Sequence, residues 1–315
     1  MQAVTKYFKP GEADARALEA GNDVAEFVTD VEATIRETKN FISLKKLTNE
    51  DIALKCRKIL ALKYWSGLNK PQIINENNIE RELTPMTSKA LIYELYANAL
   101  TVLNNDRNII PVKNLQNIRI AAIAINRNDL TTFQKRVAEY YPADDFFIDP
   151  SDSAACKNLI KKLSGYDLVI AGVFDLDQRP NLGFGIKPEL NGFLEKLIAN
   201  NKTIVTWFGN PYGIDIVKSL QNANGLILAY QNNKYTEDLS AQLIFGGIGA
   251  KGMLPVTINN KWPSDFGIIT SGKIRLQYGI PESVGMSSAI LNTKIDSIVN
   301  AGLSAKAYPG CVVMA

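Results

Sequence analysis

The 315-residue sequence contains no histidine. That absence removes Ser-His-Asp and Cys-His nucleophilic sites, and every His-based metal site, from this chain. Any chemistry would fall to carboxylates, lysines or hydroxyls. Cysteine is scarce as well: Cys56, Cys156 and Cys311 are odd in number and far apart. They offer neither a disulfide framework nor a ligand-spaced pair, and each reads as a small apolar filler. No apolar run approaches membrane-spanning length, and the start Met1–Pro10 has the pattern of neither a signal peptide nor a transit sequence. No dense Lys/Arg block stands out and the net charge is only +3, so nucleic acid is a poor fit as partner. No metal or cofactor is expected.

What is present is ordinary in bulk and ordered in pattern. With 46% apolar and 21% charged residues, the composition is that of a soluble globular protein, long enough for two domains or for one domain and several pieces. Between Arg119 and Ile258, short apolar runs alternate with amphipathic segments: Arg119–Ile125, Phe146–Asp149, Leu168–Phe174, Thr203–Gly209, Gly225–Gln231 and Met253–Ile258. Most are continuously apolar, the pattern of strands covered on both faces. Helices are expected over Asp129–Tyr141, Ser151–Leu163, Lys187–Asn200, Pro211–Leu220 and Tyr235–Phe245, each after a polar, Pro- or Gly-containing loop. Right-handed crossovers then give an α/β/α sandwich with a mostly parallel sheet. The last run contains Pro255, which predicts an edge strand.

The flanking segments read differently. Before the sandwich, a helix over Ala13–Ala20, a strand over Asp23–Val28, a helix opened by a Thr29–Glu32 capping box and carrying Val31, Ile35 and Ile42, and a helix capped by Thr48 and bearing Ile52, Cys56, Ile59 and Leu60 are expected. One strand and three helices bury no core of their own, so residues 1–70 look like a piece of something larger. Residues 71–83 are linker-like. Thr84 then caps a helix whose stripe of Leu91, Ile92, Leu95, Ala99 and Val102 runs to Leu103 and buttresses the sandwich of residues 84–258. Residues 259–285 form a connector or wrapping loop. Ser287 and Ser288 cap a final helix, and a strand is expected to begin at Gly310, just where the sequence stops.

Three motifs weigh little. Gly247-Ile-Gly-Ala-Lys-Gly252 satisfies G-x-G-x-x-G, but with the helix before it and the strand after, the reverse of a dinucleotide site. Ser43-Leu-Lys-Lys46 satisfies S-x-x-K without its partner motifs. Asn201-Lys-Thr203 is a sequon, meaningful only in a glycosylating compartment. The loop Asp175–Gly185, at the carboxyl end of the third strand, holds Asp175, Asp177 and Arg179 as candidates for a ligand site at the sandwich edge. The bland alternative is a solvated loop ahead of the next helix.

Taken in order, several stretches resemble glycoside hydrolase family 3. Met1–Val4 with Gly11–Val24 is similar to the family's barrel from just after its seventh strand into its eighth, and Ile52–Leu68 to the helix that closes it. Leu103–Pro111, Phe208–Tyr212 and Leu243–Thr257 resemble signatures of the family's second domain, and Pro281–Ser288 through Tyr308–Val313 the opening of a serine β-lactamase-type domain. The combination is similar to bacterial enzymes joining a β-N-acetylglucosaminidase to a β-lactamase-like module.

The resemblance implies a sandwich preceded by a remnant of a (β/α)8 barrel in residues 1–70, with residues 286–315 opening the β-lactamase-like domain. It implies a parent enzyme, periplasmic or secreted, that retains configuration and releases β-linked N-acetylglucosamine or a related sugar. The barrel nucleophile would precede Met1, the His/Asp acid/base pair is absent, and the β-lactamase nucleophile would follow Ala315, so this chain alone is expected to lack catalytic residues. The missing barrel and β-lactamase-like domains would be partners in cis. Met1, Asn22 and Asp23 would border the sugar pocket of the complete protein. The rivals are a non-catalytic sandwich that binds a ligand at its carboxyl edge, and part of a two-domain β-glucosidase in which Glu189 or Glu237 would be the acid/base candidates.

Overall fold

The continuously apolar runs are strands because only a sheet covered on both faces can bury every side chain of such a run. In the computed structural model, which describes residues 6–70 and 75–313 and gives Arg81 by its backbone alone, every residue of β2 (Ile120–Ile125), β4 (Leu168–Val173), β5 (Thr203–Trp207) and β6 (Gly225–Leu228) is buried. Two more strands, β1 (Thr101–Asn105) and β3 (Ala143–Ile148), complete a six-stranded sheet ordered β1-β6-β5-β4-β2-β3. All neighbours pair in parallel except β1, which runs antiparallel to β6.

Helices cover both faces. On one side α5 (Met86–Ala99), α6 (Thr132–Tyr140) and α10 (Lys234–Phe245) enclose Ile120, Ile170, Ile204 and Ile227. On the other, α7 (Ser153–Leu163), α8 (Pro188–Asn200) and the short α9 (Gly213–Ile216) pack on Ile123, Val169, Val205 and Trp207. Each fully buried aliphatic side chain contributes roughly 1.5–3 kcal/mol. The starts are fixed locally: Asp152 accepts from the N–H groups of Ala154 and Ala155 at 3.0 and 2.9 Å to open α7, and Thr131 forms a capping box with Gln134 to open α6.

The edge differs from the expectation. Met253–Ile258 is not a strand. Gly252 sits against the backbone of Ala99 and Leu100, where a Cβ has no room, and Pro255 has no N–H for a ladder. The segment instead folds on itself, with Leu254 N–H donating to Phe266 O at 2.9 Å and Ile258 N–H to Trp262 O at 2.9 Å. The edge belongs to Thr101–Asn105, whose first residues, up to Leu103, read from sequence as the end of a helix. That helix stops at Ala99 because Leu100 turns extended (φ −52°, ψ 123°), and the chain then pairs with the open side of β6. Helix α5 does buttress the sandwich, but through Tyr93, Tyr96 and Ala97, while Leu91 and Leu95 of the expected stripe are exposed. Its N-cap position is Pro85, without a side-chain cap, rather than Thr84. The expected helix Pro211–Leu220 is broken at Val217 into α9 and a 3-10 turn over Lys218–Asn222, as a β-branched Ile216-Val217 pair beside Gly213 favours.

Residues 259–278 wrap the sandwich. Trp262 is fully buried and its indole N–H donates to Leu103 O at 3.1 Å, while Ile268 N–H donates to Val102 O at 2.9 Å, so the wrap covers the outer edge of β1. Farther on, the Arg275 guanidinium donates to the carbonyls of Val112, Phe245 and Lys113. Gln242 then clasps the Tyr278 backbone with both its amide atoms, at 3.0 Å each. Helix α11 (Ser288–Ser304), capped by Ser287 as expected, has no buried residue. Residues 310–313 form no ladder, and Met314 and Ala315 lie outside the described residues.

The chain divides into two compact units, Met1–Glu82 and Leu83–Ala315. In the first, α1 (Glu12–Glu19), α2 (Val31–Ser43) and α3 (Asn49–Trp65) share a small core of Ala15, Phe41 and Leu47. The strand expected at Asp23–Val28 is absent: the segment has no neighbour to pair with among the described residues, and an unpaired strand leaves its N–H and C=O groups without a ladder. The cap of α2 is Asp30, accepting from Ala33 N–H at 2.9 Å, rather than Thr29. Thr48 and Asp51 form the expected box on α3, which buries none of its residues. Val31, Ile35 and Leu60 lie exposed. A short helix, α4 (Ile79–Leu83), precedes α5.

Candidate functional site

From β2 the chain passes outward to β3 and then crosses back over β2 to β4, so the loops after β2 and β4 leave the sheet in opposite directions. Such a switch point opens a crevice at the carboxyl ends of the strands, where open α/β sheets bind ligands. A cleft of about 610 Å³ lies there, lined by Asn126 and Arg127 after β2, Phe147 and Asp149 at the end of β3, Asp175 after β4, and Lys187 before α8.

A polar network braces the floor. Asn126 and Asp175 both adopt positive φ, 66° and 53°, turning the chain sharply as each strand ends. The Asn126 amide donates to Phe174 O at 3.1 Å and ties the two loops together. Arg127 holds Asp129 with two hydrogen bonds of 2.8 Å and places a third nitrogen 3.5 Å from Asp175 Oδ1. The Asp129 carboxylate, followed by Asp175, pushes the Arg127 pKa well above the ordinary guanidinium value. Asn232, from the loop after β6, donates to the same Asp175 oxygen at 2.8 Å. Asp175 is therefore the member of the predicted loop that the fold brings into a cluster.

Asp177 and Arg179 are spent on each other. The Arg179 backbone N–H, Nε and Nη2 reach the Asp177 carboxylate at 2.7, 3.0 and 2.7 Å, and this pairing holds the Asp177 pKa down to about 2. Glu189 stands exposed in the first turn of α8. Glu237 is 7% exposed in α10, where its carboxylate accepts from Phe133 N–H at 3.3 Å and so caps α6 from across the interface. Burial raises its pKa.

In the other unit, the Asn22 amide donates to Ala17 O at 2.9 Å behind the end of α1. Asp23 pairs with Lys58 at 3.0 Å. Met1 lies outside the described residues. The glycines of Gly247–Gly252 close the turn after α10 by packing against Tyr140, Thr270 and Ala99, and no helix follows to face a pyrophosphate. Among the described residues, no three acidic or cysteine side chains are grouped to hold a metal ion, and no helix is long and apolar enough to cross a membrane.

Sequence reasoning missed Asn126, Arg127, Phe147, Lys187 and Asn232. The signal for the first two was available, since Asn126-Arg-Asn-Asp129 follows the first parallel strand just as Asp175 follows a later one. Asn232 converges only through the sheet order, which the sequence does not print.

No protein-family model matches the sequence. In an alignment 276 positions long that covers 79% of this chain, it is 21% identical to a putative β-xylosidase of Formosa agariphila, covering 36% of that protein. Among solved structures, a glycoside hydrolase family 3 β-N-acetylglucosaminidase from Paenibacillus sp. str. FPU-7 superposes with a TM-score of 0.57 at 17% identity, over 82% of this chain and 50% of its own. A β-glucosidase from Listeria innocua in complex with isofagomine gives 0.56 at 15% identity, over 78% and 38%. This chain thus spans half or less of the length of these proteins. The fold is that of the family's C-terminal α/β/α sandwich, and fold and curated relative together support a relationship to glycoside hydrolase family 3.

Proposed function

We propose that this chain is the sandwich-bearing part of a retaining, exo-acting glycoside hydrolase for β-linked N-acetylglucosamine or a related sugar, and that it serves that enzyme as scaffold. The observation that carries the reading is the mostly parallel six-stranded sheet with its antiparallel edge strand, matched over most of the chain by a family 3 β-N-acetylglucosaminidase.

The edge chemistry supports a scaffold. A retaining glycosidase needs a nucleophile and a general acid flanking the scissile bond, the acid with a raised pKa and access to the leaving oxygen. Glu237, whose pKa burial raises, is enclosed and bonded to a helix N-terminus, and Asp177 is held low by Arg179. Reacting groups supplied by other parts of a longer protein fit better. In that protein residues 1–70 would belong to the barrel, with Asn22 and Asp23 beside the sugar, and residues 286–315 would open a β-lactamase-type domain. The location would be periplasmic or extracellular.

The test is hydrolysis of chromogenic β-N-acetylglucosaminide, β-glucoside and β-xyloside by this chain, side by side with a version extended to include the barrel. Activity in the extended protein alone supports the reading. Turnover by both removes the scaffold role, and a preference for glucoside or xyloside reassigns the sugar. An inactive, folded extended protein sinks the hydrolase reading.

A further inference from the structure

The cleft at the sheet's switch point has a chemistry of its own. Three carboxylates reach it from two loops, Asp149 and Asp152 from the one after β3 and Asp175 from the one after β4, and each has one oxygen pinned by its own surroundings. Asp149 Oδ1 accepts from the N–H and hydroxyl of Ser151 at 2.9 and 2.8 Å. Asp152 Oδ1 accepts from the N–H groups that it caps, and Asp175 Oδ1 from Asn232. The second oxygen of each makes no hydrogen bond among the described residues. These are acceptors held in fixed directions, whose ordering cost is met on folding rather than on binding. Two further polar residues that can donate, Asn128 and Lys187, line the same cleft, and neither side chain makes a hydrogen bond or ion pair among the described residues. Phe147, Ile148, Pro150 and Leu190 add apolar lining, and Phe147 is 39% exposed.

We infer that this cleft binds a pyranose sugar, with Phe147 as its apolar platform, the outer oxygens of Asp149, Asp152 and Asp175 as acceptors, and Asn128 and Lys187 as donors. A pyranose presents what the cleft lacks: ring-edge hydroxyls that both donate and accept, and apolar C–H faces. The volume of about 610 Å³ is in the range of small-molecule sites. Other ligand classes fit worse. An anion meets three carboxylates against Arg127 and Lys187, and Arg127 is already occupied by Asp129. A metal ion finds no grouped ligands. The inference rests on the glycoside hydrolase reading only for the choice of probe sugars.

The experiment is titration of the whole chain with N-acetylglucosamine, glucose and xylose, followed by ligand-observed NMR and calorimetry, with inorganic phosphate and calcium as separate probes. Saturable binding of a sugar is expected at roughly millimolar Kd. Phe147→Ala should weaken it about tenfold, the scale of a lost aromatic contact. Asn128→Ala removes a side chain that holds nothing in the fold, so its loss of affinity is not confounded by misfolding. Asp106→Asn, in the loop after β1, should leave binding unchanged. No saturable sugar binding, binding indifferent to both cleft variants, or binding of phosphate or calcium in place of sugar overturns the inference. Hydrolysis by the barrel-extended protein without sugar binding here would leave the proposed function standing and remove this site; sugar binding with an inactive extended protein would do the reverse.

Discussion

Trp262 should be among the most costly residues to remove from the sandwich, although it sits in an irregular segment. It is fully buried among Leu103, Leu254 and Ile258, and its indole N–H satisfies the Leu103 carbonyl on the outer edge of β1. Replacing a buried tryptophan with alanine costs about 3–5 kcal/mol in lost transfer energy and cavity. The orphaned carbonyl adds roughly 1–3 kcal/mol unless water reaches it. At about 2–4 °C per kcal/mol for a domain of this size, the burial and cavity cost alone should make Trp262→Ala lower the melting temperature of the sandwich by about 6–20 °C, and a dry carbonyl would lower it further. Trp262→Phe keeps most of the apolar bulk and loses the N–H, so its effect should be a fraction of that. Fluorescence of the fully buried Trp207 reports the transition, and far-UV circular dichroism checks it. Trp65→Ala, at a side chain 83% exposed, is the control. The alanine variant should also aggregate more readily, because the wrap no longer shields the β1 edge. A shift under about 2 °C would refute the claim that the wrap is part of the core.

Other substitutions probe the polar interior. Arg136→Met leaves Asp238, whose side chain is only 4% exposed, without its cation and with the Gln242 amide still donating to it at 2.8 Å, and should destabilise by about 3–5 kcal/mol in chemical denaturation; a neutral result would mean that its remaining donors and water suffice for Asp238. Glu237→Gln keeps an acceptor for Phe133 N–H and removes the buried charge. Because burial raises the folded pKa of Glu237 above 4.5, the wild type loses stability as pH climbs from the unfolded value through the folded one. The variant should therefore gain relative to wild type as pH rises past the ordinary value of 4.5 in paired thermal melts, and a constant difference would contradict the assignment. NMR titration should find the Asp177 carboxyl near pH 2, returning toward 3.8 in Arg179→Ala. A carboxyl that titrates at its ordinary value in both proteins would dissolve the pair.

The parallel core strands were legible because their apolar runs are the direct trace of two-sided burial, a property of local composition. The capping box at Thr48 was legible for the same reason, since it joins residues three apart. Edges are different. Whether Thr101–Asn105 or Met253–Ile258 borders β6 depends on which segment is delivered to that open side, and local propensity is silent about delivery.

The candidate site divides along the same line. Sequence placed Asp175, Asp177 and Arg179 at the carboxyl edge, because a loop after a parallel strand must emerge there. It left open which of them converge. The fold folds Asp177 and Arg179 back on each other and brings Asp175 to Arg127 and Asn232, 48 and 57 positions away in the chain. What the sequence determined alone was the rhythm of strand and helix, the missing histidine and its chemical exclusions, and the edge where ligands belong. Strand order, the wrap of Trp262 over β1 and the meeting of three loops in one cleft were decided only in the tertiary structure, because each depends on contacts between residues that no local pattern links.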